Sequence, residues 1–384
     1  MLGKGGSTPS PALPPSAVVV VVMASPGGPP SAGTSAASKA LVRIREAYCS
    51  SSGASSMGAD GGDSLPSLSH AADLQFHRMP LVSDDAQFCK NRDPAYNRWV
   101  CAIRYPSNAL APPARADDPP PSSSSQSTLS SSRYFNVIPY EHNRVKLVAG
   151  PSGNDYVNAS YVRSGSDDAS EWRYIAAQGP LRETIGDFWT MVVQQEVRAI
   201  VMLTDFVEDG VPKCEVYLPL RAGQQMVCHA SERGGGSLSV TTTSAVMAGE
   251  GIEHRQLEVR IDGGVPFLVH HFRYLHWPDH GTPARLDSIA DLSGLVRAMG
   301  TSSPVVVHCS AGIGRTGTFC MVDVTLRRLL QPVRALSEED VARAAALDRL
   351  VLELRASRLG MVQTVEQFRF AIMALVAVLE KASG

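Results

Sequence analysis

Residues 304–324, PVVVHCSAGIGRTGTFCMVDV, hold the reading that decides the fold. PVVVHCS is β-branched and apolar, as a buried strand is, and RTGTFCMVDV has helical apolar spacing. SAGIG must therefore turn the chain from strand to helix. Gly312 and Gly314 permit close backbone approach. The amides of this turn (Ser310, Ala311, Gly312, Ile313 and Gly314) can then converge on one point at a helix N-terminus, where the dipole favours an anion. A thiol at the edge of such a nest is stabilised as thiolate by the amides and by Arg315, so Cys309 reads as a nucleophile at neutral pH. Arg315, returning to the same cradle, can fork two N–H donors onto a phosphoryl group, which a lysine cannot do. A buried inert cysteine before an ordinary helix would need neither the glycines nor His308 and Arg315.

The rest of the chain bounds that reading. With 384 residues and 44% apolar content the protein can bury a sizeable core, and a net charge of -2 gives no support to a nucleic-acid or polybasic membrane role. Its seven cysteines, Cys49, Cys89, Cys101, Cys214, Cys228, Cys309 and Cys320, form no C-x-x-C pair and no paired metal-ligand spacing. A reduced intracellular setting and no metal site are expected. The apolar run AVVVVVM at 17–23 is far shorter than the ~20 residues that span a bilayer, so stable membrane insertion is not expected. Residues 1–45 contain no acid and carry Lys39, Arg43 and Arg45, which leaves an organelle transit peptide open beside a cytoplasmic or nuclear location.

Residues 1–70 are dominated by Pro, Gly, Ser and Ala and are expected to be a disordered extension ahead of a catalytic domain at 71–384. NALAPPARADDPPPSSSSQSTLSSS at 108–132 reads as a solvated loop. Strands are expected at 198–206, 256–261, 266–275 and 304–310, and helices at 184–196, 286–300, 315–331, 337–357 and 365–382. Ser337 with Asp340 has the form of a capping box. The expected class is α/β, a single domain whose twisted mixed central sheet is flanked by helices on both faces.

The turn has the pattern H-C-x-x-x-x-x-R-[ST], and with it the chain resembles the protein tyrosine phosphatases of non-receptor type from about residue 134 to 380. The runs VIPYEHNRVKL, NDYVNASYV, YIAAQGPL, DFWTMV, KCEVYLP, HWPDHGTP and MVQTVEQFRF match that family in order. The resemblance implies a monomeric enzyme that hydrolyses phosphotyrosine in proteins through a cysteinyl phosphate on Cys309, without metal or cofactor. It places Asp279 on a mobile loop hinged at Trp277 and Pro278, as general acid and then base. Gln363 would position the hydrolytic water with help from Gln367, and Thr316 would hydrogen-bond the sulfur. Glu208 and Lys213 match positions that pair with the phosphate-binding arginine and with the acid loop respectively. Leu218 departs from the family's usual tryptophan.

Selectivity for phosphotyrosine over the shorter phosphoserine needs depth and an aromatic wall. Tyr134 matches the family's stacking residue, and Asn136 stands where many relatives have an aspartate that holds the peptide backbone. The family reads K-N-R-Y without interruption, whereas here Lys90, Asn91 and Arg92 are followed by no tyrosine of that motif until Tyr134, so 93–133 reads as an insertion, either a long surface loop or a retained intron. A silent phosphotyrosine-binding module would not need Cys309, Arg315, Asp279 and Gln363 together. A lipid or dual-specificity enzyme fits poorly with the runs around Tyr134 and Tyr156, and SAGIG lacks a basic residue. A reactive thiolate at Cys309 is also expected to be reversibly oxidised by peroxide.

Overall fold

A computed structural model describes residues 32–49, 73, 75–77, 79, 131–148, 155–163, 172–229, 237–278, 281–300, 303–330 and 335–383. In chain order these form α1 (Ala32–Tyr48), β1 (Arg144–Lys146), β2 (Tyr156–Arg163), β3 (Trp172–Ala177), α2 (Ile185–Gln194), β4 (Ala199–Met202), β5 (Val207–Glu208) and β6 (Val211–Pro212). There follow β7 (Gln225–His229), β8 (Ser237–Gly249), β9 (Ile252–Ile261), β10 (Phe267–Tyr274), α3 (Ser288–Ala298), β11 (Val305–His308) and α4 (Gly314–Leu330). The last three are α5 (Glu338–Ala345), α6 (Leu347–Ser357) and α7 (Val365–Ser383).

The described strands make a nine-stranded mixed sheet in the order β1-β2-β3-β11-β4-β10-β9-β8-β7, with β5 and β6 paired apart as a short hairpin. β3, β11, β4 and β10 run parallel, and the pairs outside them are antiparallel. Parallel strands are covered on both faces, which is why VVVH is an unbroken buried run rather than an alternating one. Val305 and Val307 face the core under α1, α3, α4, α5, α6 and α7, whereas Val306 joins Phe188 and Trp189 of α2 on the other face. The α/β class with helices on both faces is therefore observed. His308 and the residues after it leave the middle of the sheet at the carboxyl ends of its parallel strands, the place where open α/β sheets form clefts.

Two expectations need correction. Within the stretch expected to be disordered, residues 32–48 form α1, and Ala36, Ala37, Ala40, Leu41, Ile44 and Tyr48 are buried against the helical layer. Composition averaged over 1–70 hid an amphipathic run whose apolar residues recur every three or four positions. Polar ties fix it as well. Lys39 pairs with Glu338, Arg45 with Glu380, and the Tyr48 hydroxyl donates to Asp348 Oδ1 at 2.8 Å. α1 thus packs on the same core as the later helices, while 1–31 lies outside the described residues. The helix expected over 337–357 is two helices, α5 and α6, because Ala346 takes φ -81° and ψ 74°. The Ser337–Asp340 capping box is present, with Asp340 N–H donating to Ser337 Oγ at 3.1 Å and Ser337 N–H to Asp340 Oδ2 at 2.9 Å. No helix among the described residues is long and apolar enough to cross a membrane.

Candidate active site

The turn between β11 and α4 is held from outside at every carbonyl. His308 O accepts from Leu203 N at 2.9 Å, Cys309 O from His308 Nδ1 at 3.1 Å, and Ser310 O from Gly179 N at 2.9 Å. Ala311 O and Gly312 O accept from Arg358 Nη2 and Nε at 3.0 and 2.9 Å, and Ile313 O from Gly317 N and Val362 N at 2.8 and 3.2 Å. In a trans peptide the N–H of the next residue points opposite to each carbonyl, and no peptide described is cis. The N–H groups of Ser310, Ala311, Gly312, Ile313 and Gly314 therefore face away from those partners, the arrangement of an anion nest at the N-terminus of the 17-residue α4, and that of Gly312 bonds Cys309 Sγ. Gly312 makes the turn possible. Its φ is +71°, and a Cβ there would lie 2.0 Å from Ala177 O.

Cys309 sits in this nest, 6% exposed, with its Sγ accepting from Gly312 N at 3.3 Å and from Thr316 Oγ1 at 3.4 Å. Arg315, on the first turn of α4, meets Glu208 side-on, Nη1 to Oε1 at 2.6 Å and Nη2 to Oε2 at 2.9 Å, so the expected pairing with Glu208 is observed. Glu208 Oε1 also accepts from Thr204 Oγ1 and Asp205 N at 2.8 and 2.9 Å. A carboxylate fixed at both oxygens sets the plane of the guanidinium. Arg315 Nη2 further donates to Pro278 O at 2.9 Å, linking the cradle to the segment that carries Trp277 and Pro278. Trp277 is buried against Tyr274 and Phe370 and donates Nε1–H to Gly281 O at 3.2 Å. Asp279 itself lies outside the described residues.

Around the rim, Tyr134 is 37% exposed and its hydroxyl lies 2.9 Å from Ser310 Oγ, while Asn136 two residues on is exposed. Ser310 Oγ donates in turn to the backbone carbonyl of Lys213 at 2.8 Å, so Lys213 supports the turn through its main chain. Gln363 and Gln367 both reach Gly314, where a Cβ would meet Gln367 Nε2 at 2.9 Å and Gln363 Oε1 at 3.1 Å. Gln367 has a second task, its Oε1 accepting from Gln363 N at 2.9 Å ahead of α7.

The span read as an insertion is described only from Ser131 on. Residues 93–130 lie outside the described residues, but Ser131, Ser132 and Arg133 form part of the wall. Gln178 exchanges bonds with Arg133 N and Ser131 O at 2.7 and 2.9 Å, and Arg133 Nε and Nη2 donate to Gly179 O and Pro180 O at 3.1 and 2.8 Å. Tying Gly179 and Pro180 in this way fixes the strand end that receives Ser310 O.

His308, grouped in the sequence with the reacting residues, points away from the nest into the core. Its side chain is fully buried, and burial lowers its pKa to about 4, so the ring is neutral. Bonding to Cys309 O requires the proton on Nδ1, so Nε2 accepts from the Tyr217 hydroxyl at 2.7 Å. Tyr217 then accepts from His271 Nε2 at 2.7 Å, and His271 Nδ1 is left as a buried lone pair with no partner among the described residues. Tyr217 and His271 carry no sequence signal of this relay. Arg358 carries none either. Fully buried between the turn and Asn158 Oδ1 (2.7 Å) and Ser160 Oγ (3.2 Å), it keeps its charge although burial lowers its pKa to about 10. In ELRASRLG it reads as an ordinary helix-end arginine.

Comparison with known proteins agrees with this geometry. The model of the protein-tyrosine phosphatase family matches residues 128–377. The chain is 37% identical over 258 residues to Protein-tyrosine-phosphatase PTP1 of Arabidopsis thaliana, a span of 66% of this chain and 71% of that relative. It is 34% identical over 249 residues to Tyrosine-protein phosphatase non-receptor type 20 of Mus musculus, covering 65% and 54% of the two. To Receptor-type tyrosine-protein phosphatase eta of Mus musculus it is 38% identical over 244 residues, 62% of this chain and 18% of that much longer one.

Proposed function

The chain belongs to the protein-tyrosine phosphatase family, and from that premise we propose that it hydrolyses phosphotyrosine in proteins through a cysteinyl phosphate on Cys309. The observation that carries the proposal is Cys309 Sγ accepting from Gly312 N at 3.3 Å and Thr316 Oγ1 at 3.4 Å at the head of α4, in a turn whose five carbonyls from Cys309 to Ile313 are all bonded elsewhere, which leaves the five following N–H groups for an oxyanion. Such a nest matches the equatorial oxygens of a phosphoryl group in transfer, whose negative charge it stabilises without reorganising.

In the first step Cys309 Sγ attacks phosphorus, the bond from phosphorus to the tyrosyl oxygen breaks, and Asp279 protonates that oxygen as it leaves. Arg315, its plane set by Glu208, supports the phosphoryl oxygens. Asp279 follows Pro278, whose carbonyl Arg315 holds, and this tie supports its place as the acid. In the second step a water held by Gln363 attacks phosphorus, Asp279 takes its proton, and Thr316 donates a hydrogen bond to the departing sulfur. Tyr134 walls the cleft for an aromatic ester, and Asn136 meets the peptide beside it. His308 acts by holding the Cys309 carbonyl. The same reading includes a cytoplasmic phosphotyrosine-signalling role and reversible inactivation when peroxide oxidises Cys309.

Release of phosphate from an aryl phosphate and from matched phosphotyrosine and phosphoserine peptides tests the proposal. Turnover is expected on the first two alone, abolished in Cys309→Ser and lowered about 10²-fold or more in Asp279→Ala. Phosphotyrosine binding by the wild type without release of phosphate would instead make the chain a binding module.

A further inference from the structure

Arg273 lies near the end of β10, four positions before Trp277, opposite Met202 of β4 and Glu253 of β9. It is a charged side chain only 12% exposed, and its Nε is buried with no partner among the described residues. One end of the guanidinium is committed to the segment leading into the β5–β6 hairpin. Nη2 forms an ion pair with Asp205 Oδ1, and the group lies over the Phe206 ring, 4.7 Å from its centroid. Nη1 lies 3.5 Å from Glu253 Oε2, whose carboxylate Arg255 holds through two bonds of 2.9 Å.

Both residues that Arg273 grips govern where Glu208 stands. Asp205 donates its backbone N–H to Glu208 Oε1 at 2.9 Å, and its own Oδ1 accepts from Phe206 N at 2.6 Å. Phe206 O closes the hairpin by accepting from Lys213 N and Cys214 N at 2.9 and 3.3 Å. Glu208 then meets Arg315 side-on, and Arg315 returns to Pro278 O on the segment that continues from β10. Arg273 therefore stands near the root of two of the arms that hold Arg315, which also donates from Nη1 to Leu203 O at 3.1 Å.

We propose that Arg273 is a positioning residue for the phosphatase reaction: it fixes the Asp205–Phe206 turn so that Glu208 presents Arg315 in the plane that an oxyanion requires. The proposal rests on the phosphatase reading above. Asp205 is 51% exposed, and an ion pair so open to water contributes little to stability. Its loss is felt through misplacement of Arg315, and small errors of position in a phosphoryl-transfer site are costly.

The test uses the full chain as Arg273→Gln, Arg273→Lys, Asp205→Asn and the Arg273→Gln/Asp205→Asn double variant. Three quantities are measured: kcat/KM on an aryl phosphate, the affinity for vanadate by calorimetry, and Tm. Arg273→Gln and Asp205→Asn are each expected to lower kcat/KM roughly tenfold and to weaken vanadate by a similar factor, with Tm little changed. The double variant should be no worse than the worse single one, since both act through one link. Arg273→Lys, which keeps the charge but loses the fork, should recover part of both. Unchanged kcat/KM and vanadate affinity, independent losses that add in the double variant, or losses that only follow Tm would overturn the proposal. Should Arg273→Gln fail to fold, Asp205→Asn carries the test alone. A wild type that releases no phosphate would sink the phosphatase reading, and the vanadate titration would still decide the role of Arg273.

Discussion

Arg358 Nε lies 2.9 Å from the carbonyl oxygen of Gly312, and this bond, with the one from Nη2 to Ala311 O, turns two peptide units of the catalytic loop outward. A lysine keeps the charge but, as a point donor, cannot serve both carbonyls and Asn158 Oδ1 in one plane. Arg358→Lys is therefore expected to lower kcat/KM about 10²-fold, matching the cost of losing an oxyanion donor. Vanadate affinity should fall with it. Steady-state kinetics and calorimetry on the variant check this, and an unchanged vanadate affinity would show that the loop holds its shape without the fork.

Gly312→Ala gives a sharper steric test. The added methyl would stand 2.0 Å from Ala177 O, a backbone atom of β3 that cannot step aside. The loop must open, so activity should fall to the level of Cys309→Ser while the circular dichroism spectrum stays that of the folded chain. Measurable turnover above that level would contradict the geometry of the nest.

α1 allows burial to be separated from charge. Ile44 is fully buried against the helical layer, whereas Lys39 and Glu338 are 52% and 61% exposed. Ile44→Ala should cost about 2 to 5 kcal/mol of stability. Lys39→Ala should cost about 1 kcal/mol or less. Urea unfolding of the two variants distinguishes a helix held by its apolar face from one held by its ion pairs.

Stability should fall as the pH drops below that of an ordinary histidine. Folding lowers the pKa of His308 from 6.5 to about 4 through burial, so between these values the unfolded chain binds the proton and the folded chain does not. Stability is complete above pH 6.5 and is lost progressively as the pH falls toward 4, by on the order of 3 kcal/mol for this one group. His271, pushed down in the same direction by burial, adds to the slope. Urea unfolding from pH 7.5 to 4.5 measures it. A flat profile would mean that His308 accepts a proton inside the fold.

The legible part of this protein is local. PVVVHCS and RTGTFCMVDV declared strand and helix through periodicity, and Cys309, Thr316, Arg315 and Glu208 stand together as their spacing and the family pattern implied. Contacts made by residues remote in sequence were not legible. Arg358 and the Tyr217–His271 relay reach the turn from other elements, and a buried arginine looks no different in sequence from an exposed one. α1 was lost for another reason, since its apolar stripe sits inside a segment whose average composition is that of a disordered chain. SLSVTTTSAVMAG became β8 although its few branched apolar residues gave little strand signal. Its Thr and Val residues suit a strand, and pairing with β7 and β9 supplied what its low apolar content did not signal.

The proposed reaction requires that the sulfur of Cys309 receive the phosphoryl group at the head of α4. Rapid acid quench of Gln363→Ala during turnover of an aryl phosphate, followed by peptide mass spectrometry, tests it most directly, because slowing the water step lets the intermediate accumulate. A phosphate adduct on the peptide containing Cys309, absent from Cys309→Ser, is the predicted result. Continued turnover with no adduct on that peptide, or an adduct on another residue, would contradict it.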